Sequence, residues 1–201
     1  MSMDYSTYLS YREDILAWIK ERLKPARYVH SLGVEQTAVN LARQYGVSFE
    51  EASLAGLLHD NAKYLDINLQ RKIAQKAFPK IDFDMDYASV FHAFAGAAEA
   101  KKRYPDLITD DMYNAIAYHT TGRKKMSPLE QIIYCADFIE PNRTPFEGLD
   151  EAKTAVFSDL ETGTLLILKQ TDEYVLSKNK RSFPLTKEAI KYYEKHRKDK
   201  K

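Results

Sequence analysis

Strand-like alternation of apolar and polar residues is almost absent from this chain. Apolar residues recur instead three and four positions apart. There are few glycines and prolines, seven of each, and several of them fall where such runs begin or end. That pattern belongs to amphipathic helices with marked starts and stops, so the expected fold class is all-α, a helical bundle. A first helix is expected over 7–24, with Ile15, Leu16, Ile19 and Leu23 as its apolar stripe. Pro25 suits the first turn of a second helix, whose inward face is Val34, Ala38, Leu41 and Ala42 and whose stop is Gly46. Ser48 and Glu51 have capping-box spacing and open a third, which carries Leu54, Ala55 and Leu58 and then His59 and Asp60.

Further helices are expected over 68–77, 87–104, 109–122 and 127–141, the last begun by Ser127, Pro128 and Glu130 and ended by Pro141. A long helical stretch follows over 150–178, and a final helix runs from Thr186 into the tail. No linker, repeat or low-complexity segment interrupts the pattern. The economical reading is a single domain over 1–201, with its motifs in 27–143, C-terminal helices over 150–198, and a basic tail over 195–201, KHRKDKK, as a frayed, solvated helix end.

Composition narrows the class of function. The formal net charge is +1 with a pI near 7.8, which lacks the basic bias of a nucleic-acid-binding domain. No stretch approaches the ~20 apolar residues of a membrane span, and the first residues, MSMDYSTYLSYRED, have no signal-peptide core. The single cysteine, Cys135, lies in an apolar segment and fits a reducing compartment. A cytoplasmic protein with no nucleic-acid or membrane partner is expected.

The segment LLHDNAK, 57–63, ends an apolar run with His59 and Asp60 side by side. A buried carboxylate is costly unless compensated. His30, His92 and His119 fall on three other expected helices, and Asp137 lies in YCADFIE. Each alone reads as a core histidine bonded to a carbonyl, or an aspartate paired with an arginine. Together, six such residues in apolar helical contexts point to a metal centre, because neutral imidazoles and carboxylates are good ligands for divalent iron, manganese or zinc. A cation would also compensate Asp60. Neighbours on a helix point roughly 100° apart, so His59 and Asp60 serve one centre near a helix end or a centre of two metals. One division gives His30, His59 and Asp137 to one ion, His92 and His119 to the other, and shares Asp60; spacing alone does not choose it.

The order His30, His59-Asp60, Asp137 resembles the HD superfamily of metal-dependent phosphohydrolases, and His92 and His119 resemble its two-metal branch. RYVHSLGVEQTAVNLA, AGLLHDNAK and HTTGRKKMSPLEQIIYCADFIEPNR are similar to the bacterial symmetrical bis(5′-nucleosyl)-tetraphosphatases of the YqeK type. Asn61 stands where an apolar residue is expected after the doublet. The resemblance implies an all-α HD domain, a di-iron centre held by His30, His59, Asp60, His92, His119 and Asp137, and cleavage of diadenosine tetraphosphate into two ADP.

Such cleavage needs a hydroxide at neutral pH and positive charge at the leaving phosphate, which two metals ~4 Å apart supply. Asp60 is then catalytic through the metals. Lys63 and Arg143 are expected to be catalytic and to bind substrate, with Arg27 on a similar helix face to His30. The resemblance adds Thr120, Thr121 and Gly122 as phosphate contacts. The alternatives are an HD phosphohydrolase for a deoxynucleoside triphosphate or guanosine alarmone, and a metal-poor nucleotide sensor. A homodimer is a compatible assembly.

Overall fold

A computed structural model describes residues 4–199. Among them there is no strand. Ten α-helices follow one another: α1 Tyr5–Arg22, α2 Pro25–Tyr45, α3 Phe49–Leu58, α4 Ile67–Ala77, α5 Phe91–Arg103, α6 Asp110–Tyr118, α7 Pro128–Ile139, α8 Leu149–Ser158, α9 Leu160–Ser177 and α10 Pro184–Asp199. A 3-10 segment, Met85–Val90, leads into α5. No described helix is long and apolar enough to cross a membrane.

Several starts are where the sequence puts them, for the expected reasons; α1 begins two residues earlier than expected, capped by Asp4, and α10 begins at Pro184 instead of Thr186. Ser127 accepts from the Glu130 amide while the Glu130 carboxylate accepts from the Ser127 amide, a complete capping box. Thr109 caps α6 through the Met112 amide, and Gly46 closes α2 in the left-handed region at φ +69°. In the basic tail, α10 continues to Asp199, and Lys200 and Lys201 lie outside the described residues.

Three departures matter. The stretch expected to be one helix over 150–178 is two. Asp159 is extended (φ −156°, ψ 118°) and its side chain caps α9 through the Thr162 amide. The two helices then cross closely at Gly163, where a Cβ would stand 2.5 Å from Val156 Cα. The helix expected over 87–104 begins as 3-10 turns, with a kink at Tyr87, and becomes α-helical only at Phe91. Finally, α3 ends at Leu58, so His59 and Asp60 lie just past the helix and not on it.

α3 is the hub. It packs against α1, α2, α5, α6 and α7, and every residue from Ala52 to Leu58 is buried. A helix apolar on all sides can exist only when surrounded. Ile15 and Ile19 of α1, Val34, Ala38 and Leu41 of α2, Met112 and Ile116 of α6, and Ile132 and Ile133 of α7 are its buried surroundings. Burying one such side chain contributes about 1.5–3 kcal/mol. The central helix therefore delivers whatever follows Leu58 into the protein interior.

Candidate metal centre

Beyond Leu58 the chain tightens. Asn61 N bonds Leu58 O (3.1 Å), Lys63 N bonds Asp60 O (2.9 Å) and Leu65 N bonds Ala62 O (3.1 Å). These are three-residue turns, in which side chains at i and i+3 eclipse. Lys63 consequently lies over Asp60, with Nζ 3.5 Å from Oδ1; the relation expected from an α-helix, Lys63 one turn beyond His59, is replaced by this one. Asn61 is fully inside. Its Nδ2 donates to Leu58 O (2.7 Å) and to Gly96 O of α5 (2.9 Å), and Arg22 Nε of α1 donates to its carbonyl (3.0 Å). A polar residue occupies this apolar-looking position because it ties the doublet's turn to α5.

The structure brings all six expected ligand residues together. His30 comes from the second turn of α2, His59 and His119 from the C-terminal ends of α3 and α6, His92 from the first turn of α5, and Asp137 from α7. His30 Nε2 is 3.3 Å from His59 Nε2 and 3.0 Å from Asp137 Oδ1. Asp60 stands between two groups. Its Oδ2 faces His59 Nε2 at 3.3 Å, while its Oδ1 faces His92 Nε2 at 3.0 Å and His119 Nε2 at 3.6 Å. Asp60 thus lies between two histidine groups, as a shared carboxylate would, although His59, His119 and Asp137 also form a set of their own across that division.

Tautomers follow from the other ring nitrogens. His59 Nδ1 donates to Gly56 O (2.7 Å) and His119 Nδ1 to Ile116 O (2.8 Å). A carbonyl only accepts, so these protons sit on Nδ1 and the Nε2 atoms present lone pairs. His30 Nδ1 faces the Glu140 carboxylate at 3.1 Å, a residue to which sequence reasoning gave no role. Lys63 Nζ donates to His92 Nε2 at 3.0 Å. Thus four Nε2 lone pairs and two carboxylates converge. Lone pairs 3.3 Å apart, as on His30 and His59, repel unless a positive charge lies with them.

The electrostatics agree. Burial would raise the Asp60 carboxyl, but His59, His119 and His92 around it hold it well below the usual carboxylate range. Asp137 is held low in the same way, burial being outweighed by His30, His59 and Arg143. Burial pushes His92 down to about 4, Lys63 acting in the same direction against Asp60, and burial also lowers His119. These two rings are neutral, ready ligands. For His59 burial acts downward but Asp60 and Asp137 outweigh it, and the net shift is upward. Asp60 Oδ1 and His119 Nε2 are buried yet hydrogen-bonded to nothing. Buried polar atoms rarely stay unpaired; these two both present lone pairs, so neither can satisfy the other, and a divalent cation between them would satisfy both. Three overlapping sets, His30-His59-Asp60, His59-His119-Asp137 and Asp60-His92-His119, each have donor atoms within 4.8 Å of one another. The chemistry of these donors fits divalent metal.

The cationic residues expected near phosphate also gather here. Arg27 Nη1 is 2.9 Å from Asp60 Oδ2. Arg143 grips Asp137 twice, through Nε to its carbonyl (2.8 Å) and Nη2 to Oδ1 (2.9 Å). Lys63, Arg27 and Arg143 are each about a third exposed, so all three reach from the buried carboxylates toward solvent. Thr120, Thr121 and Gly122 follow His119. Thr120 Oγ1 is buried without a partner. Thr121 is fully buried, and its carbonyl accepts from Thr186 Oγ1 at 2.8 Å. Gly122 closes α6 at φ +58°, its amide on Tyr118 O (2.8 Å). These contacts give Thr121 and Gly122 a helix-ending role that also anchors α10.

The chain is similar in sequence to known proteins. A protein of Bacillus subtilis (strain 168) called "Bis(5'-nucleosyl)-tetraphosphatase, symmetrical" is 36% identical over 176 residues, covering 87% of this chain and 93% of that one. A Staphylococcus aureus protein of the same name is 32% identical, covering 87% and 90%. A crystal structure from Clostridium acetobutylicum, described as a predicted HD superfamily hydrolase involved in NAD metabolism, superposes with a TM-score of 0.84 at 37% identity, covering 92% of this chain and 97% of that one. The model of the HD domain matches residues 27–142, which span every one of the six converging side chains. A doublet carried inward by a buried central helix, within a match over more than half of the chain's length, means that this chain belongs to the HD domain family.

Proposed function

We propose that this chain hydrolyses dinucleoside polyphosphates symmetrically, converting diadenosine tetraphosphate and water to two ADP, at a centre of two divalent cations, iron by preference, in the cytoplasm. The observation that carries the reading is Asp60, whose two buried oxygens face two separate histidine sets. The names of the relatives supply the substrate. His30, His59, Asp137 and Asp60 Oδ2 would hold one ion, and His92, His119 and Asp60 Oδ1 the other. Two such ions supply Lewis acidity toward phosphate oxygens and a nucleophile at neutral pH.

The remaining chemistry falls to the chain's own groups. The leaving diphosphate departs as an anion, so the reaction needs fixed positive charge there more than a general acid. Lys63 and Arg143 provide it, an ammonium as a point charge and a guanidinium as a two-pronged donor. Arg27 binds the outer phosphates. In the structure these three are turned onto Asp60 and Asp137. With the carboxylate charge answered by cations, their remaining N–H groups face the opening and the polyphosphate. The neutral state of His92 and His119 keeps the donors available without competition from protons.

The test is product analysis on diadenosine tetraphosphate with elemental analysis of the protein. ADP as the only product, with two metals per chain, supports the reading. AMP plus ATP overturns symmetrical cleavage. Faster turnover of a deoxynucleoside triphosphate or a guanosine alarmone would transfer the centre to another HD phosphohydrolase activity, and nucleotide binding with well under one metal per chain would indicate a sensor.

A further inference from the structure

His59 and His119 stand at helix ends, where the ring Nδ1 reaches the carbonyl three residues back. His30 has no such recourse. It sits inside α2, where backbone carbonyls are engaged in the helix ladder. Its Nδ1 is met from across the fold by Glu140, the residue that ends α7. Glu140 is 2% exposed. Its Oε1 faces His30 Nδ1 at 3.1 Å, and its Oε2 accepts from the Asn142 amide at 2.6 Å. A buried carboxylate held at both oxygens is an expensive feature to maintain for packing alone. Space for it comes from Gly33, one turn along α2 from His30. A Cβ there would stand 2.2 Å from Glu140 Oε2 and 2.7 Å from Asn142 Nδ2. Any other residue at 33 would displace the carboxylate.

We infer that Glu140 is a positioning residue for the candidate centre: by accepting the Nδ1 proton of His30 across the gap left by Gly33, it fixes that ring with its Nε2 lone pair toward the cation. Carboxylates behind ligating histidines do this in other metal sites, and removing them costs 10–100-fold in metal affinity. The inference rests on the two-cation reading above. It assigns Glu140 no contact with substrate.

Manganese(II) titration of the purified full chain separates the possibilities. The wild type should bind two ions. Glu140→Gln, nearly isosteric, should weaken one of the two by 10–100-fold and leave the other unchanged. Gly33→Ala should act in the same direction from the opposite side of the contact. In a His30→Ala background, Glu140→Gln should add no further loss, because the ring it positions is gone. Equal affinity in wild type and Glu140→Gln overturns the inference, and so does the same fold-loss persisting in the His30→Ala background, which marks a structural role. A wild type that binds no manganese overturns the cation centre itself, a result distinguishable from either.

Discussion

Replacing Asp60 by alanine removes the group on which both halves of the centre depend. Its oxygens face His59 on one side and His92 and His119 on the other, at 3.0–3.6 Å. One unit of negative charge about 4 Å from a unit positive charge is worth ~4 kcal/mol at an effective dielectric constant near 20. At about 1.36 kcal/mol per factor of ten, that is roughly a thousand-fold in affinity for each ion, and more for a divalent one. Asp60→Ala should therefore empty both positions at micromolar metal. Asp60→Asn, which keeps the shape and loses the charge, should do nearly the same. His92→Ala removes a neutral ring from one side and leaves His30, His59, Asp137 and Asp60 Oδ2 in place, so its occupancy should fall toward one ion per chain. Elemental analysis after dialysis reads both, with circular dichroism to establish that each variant is folded. Arg27 and Lys63 are partly exposed and can turn to water when the carboxylate is gone, so folding is expected to survive. Loss of the same single ion from Asp60→Ala and His92→Ala would refute the argument that Asp60 is shared.

Other outcomes follow from the same geometry. Lys63→Ala should lower kcat by roughly 10²–10³-fold, the usual cost of a lost charge-stabilising donor, and a change confined to KM would show that Lys63 only binds the ground state. Arg143→Lys should behave like Arg143→Ala in steady-state assays, since a flexible ammonium lacks the planar fork with which Arg143 holds both the Asp137 carbonyl and its Oδ1. Metal affinity should rise with pH and then level off. The folded His59 holds its proton to a higher pH than a free histidine, binding expels that proton, and so affinity falls as pH drops below the raised value; titration calorimetry in buffers of different ionisation enthalpy would reveal the proton release, and none at mildly acidic pH would contradict it. By the same sign, the proton on His59 stabilises the metal-free fold fully below the ordinary histidine value of about 6.5, and this contribution is lost as pH rises through the raised one. Asn61→Ala deletes two hydrogen bonds to carbonyls and also removes a buried oxygen that has no partner, for a net cost of about 1–2 kcal/mol, or roughly 2–8 °C of melting temperature in a chain of this size; an unchanged melt would sink the bridging role given to it.

Much of the centre could be read from the sequence because each ligand type is rare in an apolar helical context. His30, His92, His119 and Asp137 were conspicuous among their neighbours, and they do converge. The helix starts were legible where a side chain does the capping, at Ser48, Thr109 and Ser127. What escaped was set by tertiary contact. Asp159 caps α9 in the middle of an apolar-periodic run, and the cue for it, a glycine four residues on at the α8–α9 crossing, acquires meaning only when Val156 is known to lie against it. The His59-Asp60 doublet was assigned to a helix because periodicity continues through it, whereas the backbone tightens into three-residue turns that bring Lys63 over Asp60. Glu140 was invisible for a similar reason. Its partner His30 is 110 positions away, and nothing local separates a buried glutamate at a helix end from a solvated one.

The six converging residues arrive on five different helices or helix ends, with only the doublet supplying two. Inserting cations would thus stitch together segments that are far apart along the chain, as a keystone locks an arch. Outside the turns that hold 59–63 and 140–143, connections between those segments can be lengthened, shortened or rewritten without disturbing the stitch, while a small tilt of any one helix would be felt by all the donors at once. Variation in a lineage built on this plan belongs in the loops, and resistance to change in the angles at which the helices meet.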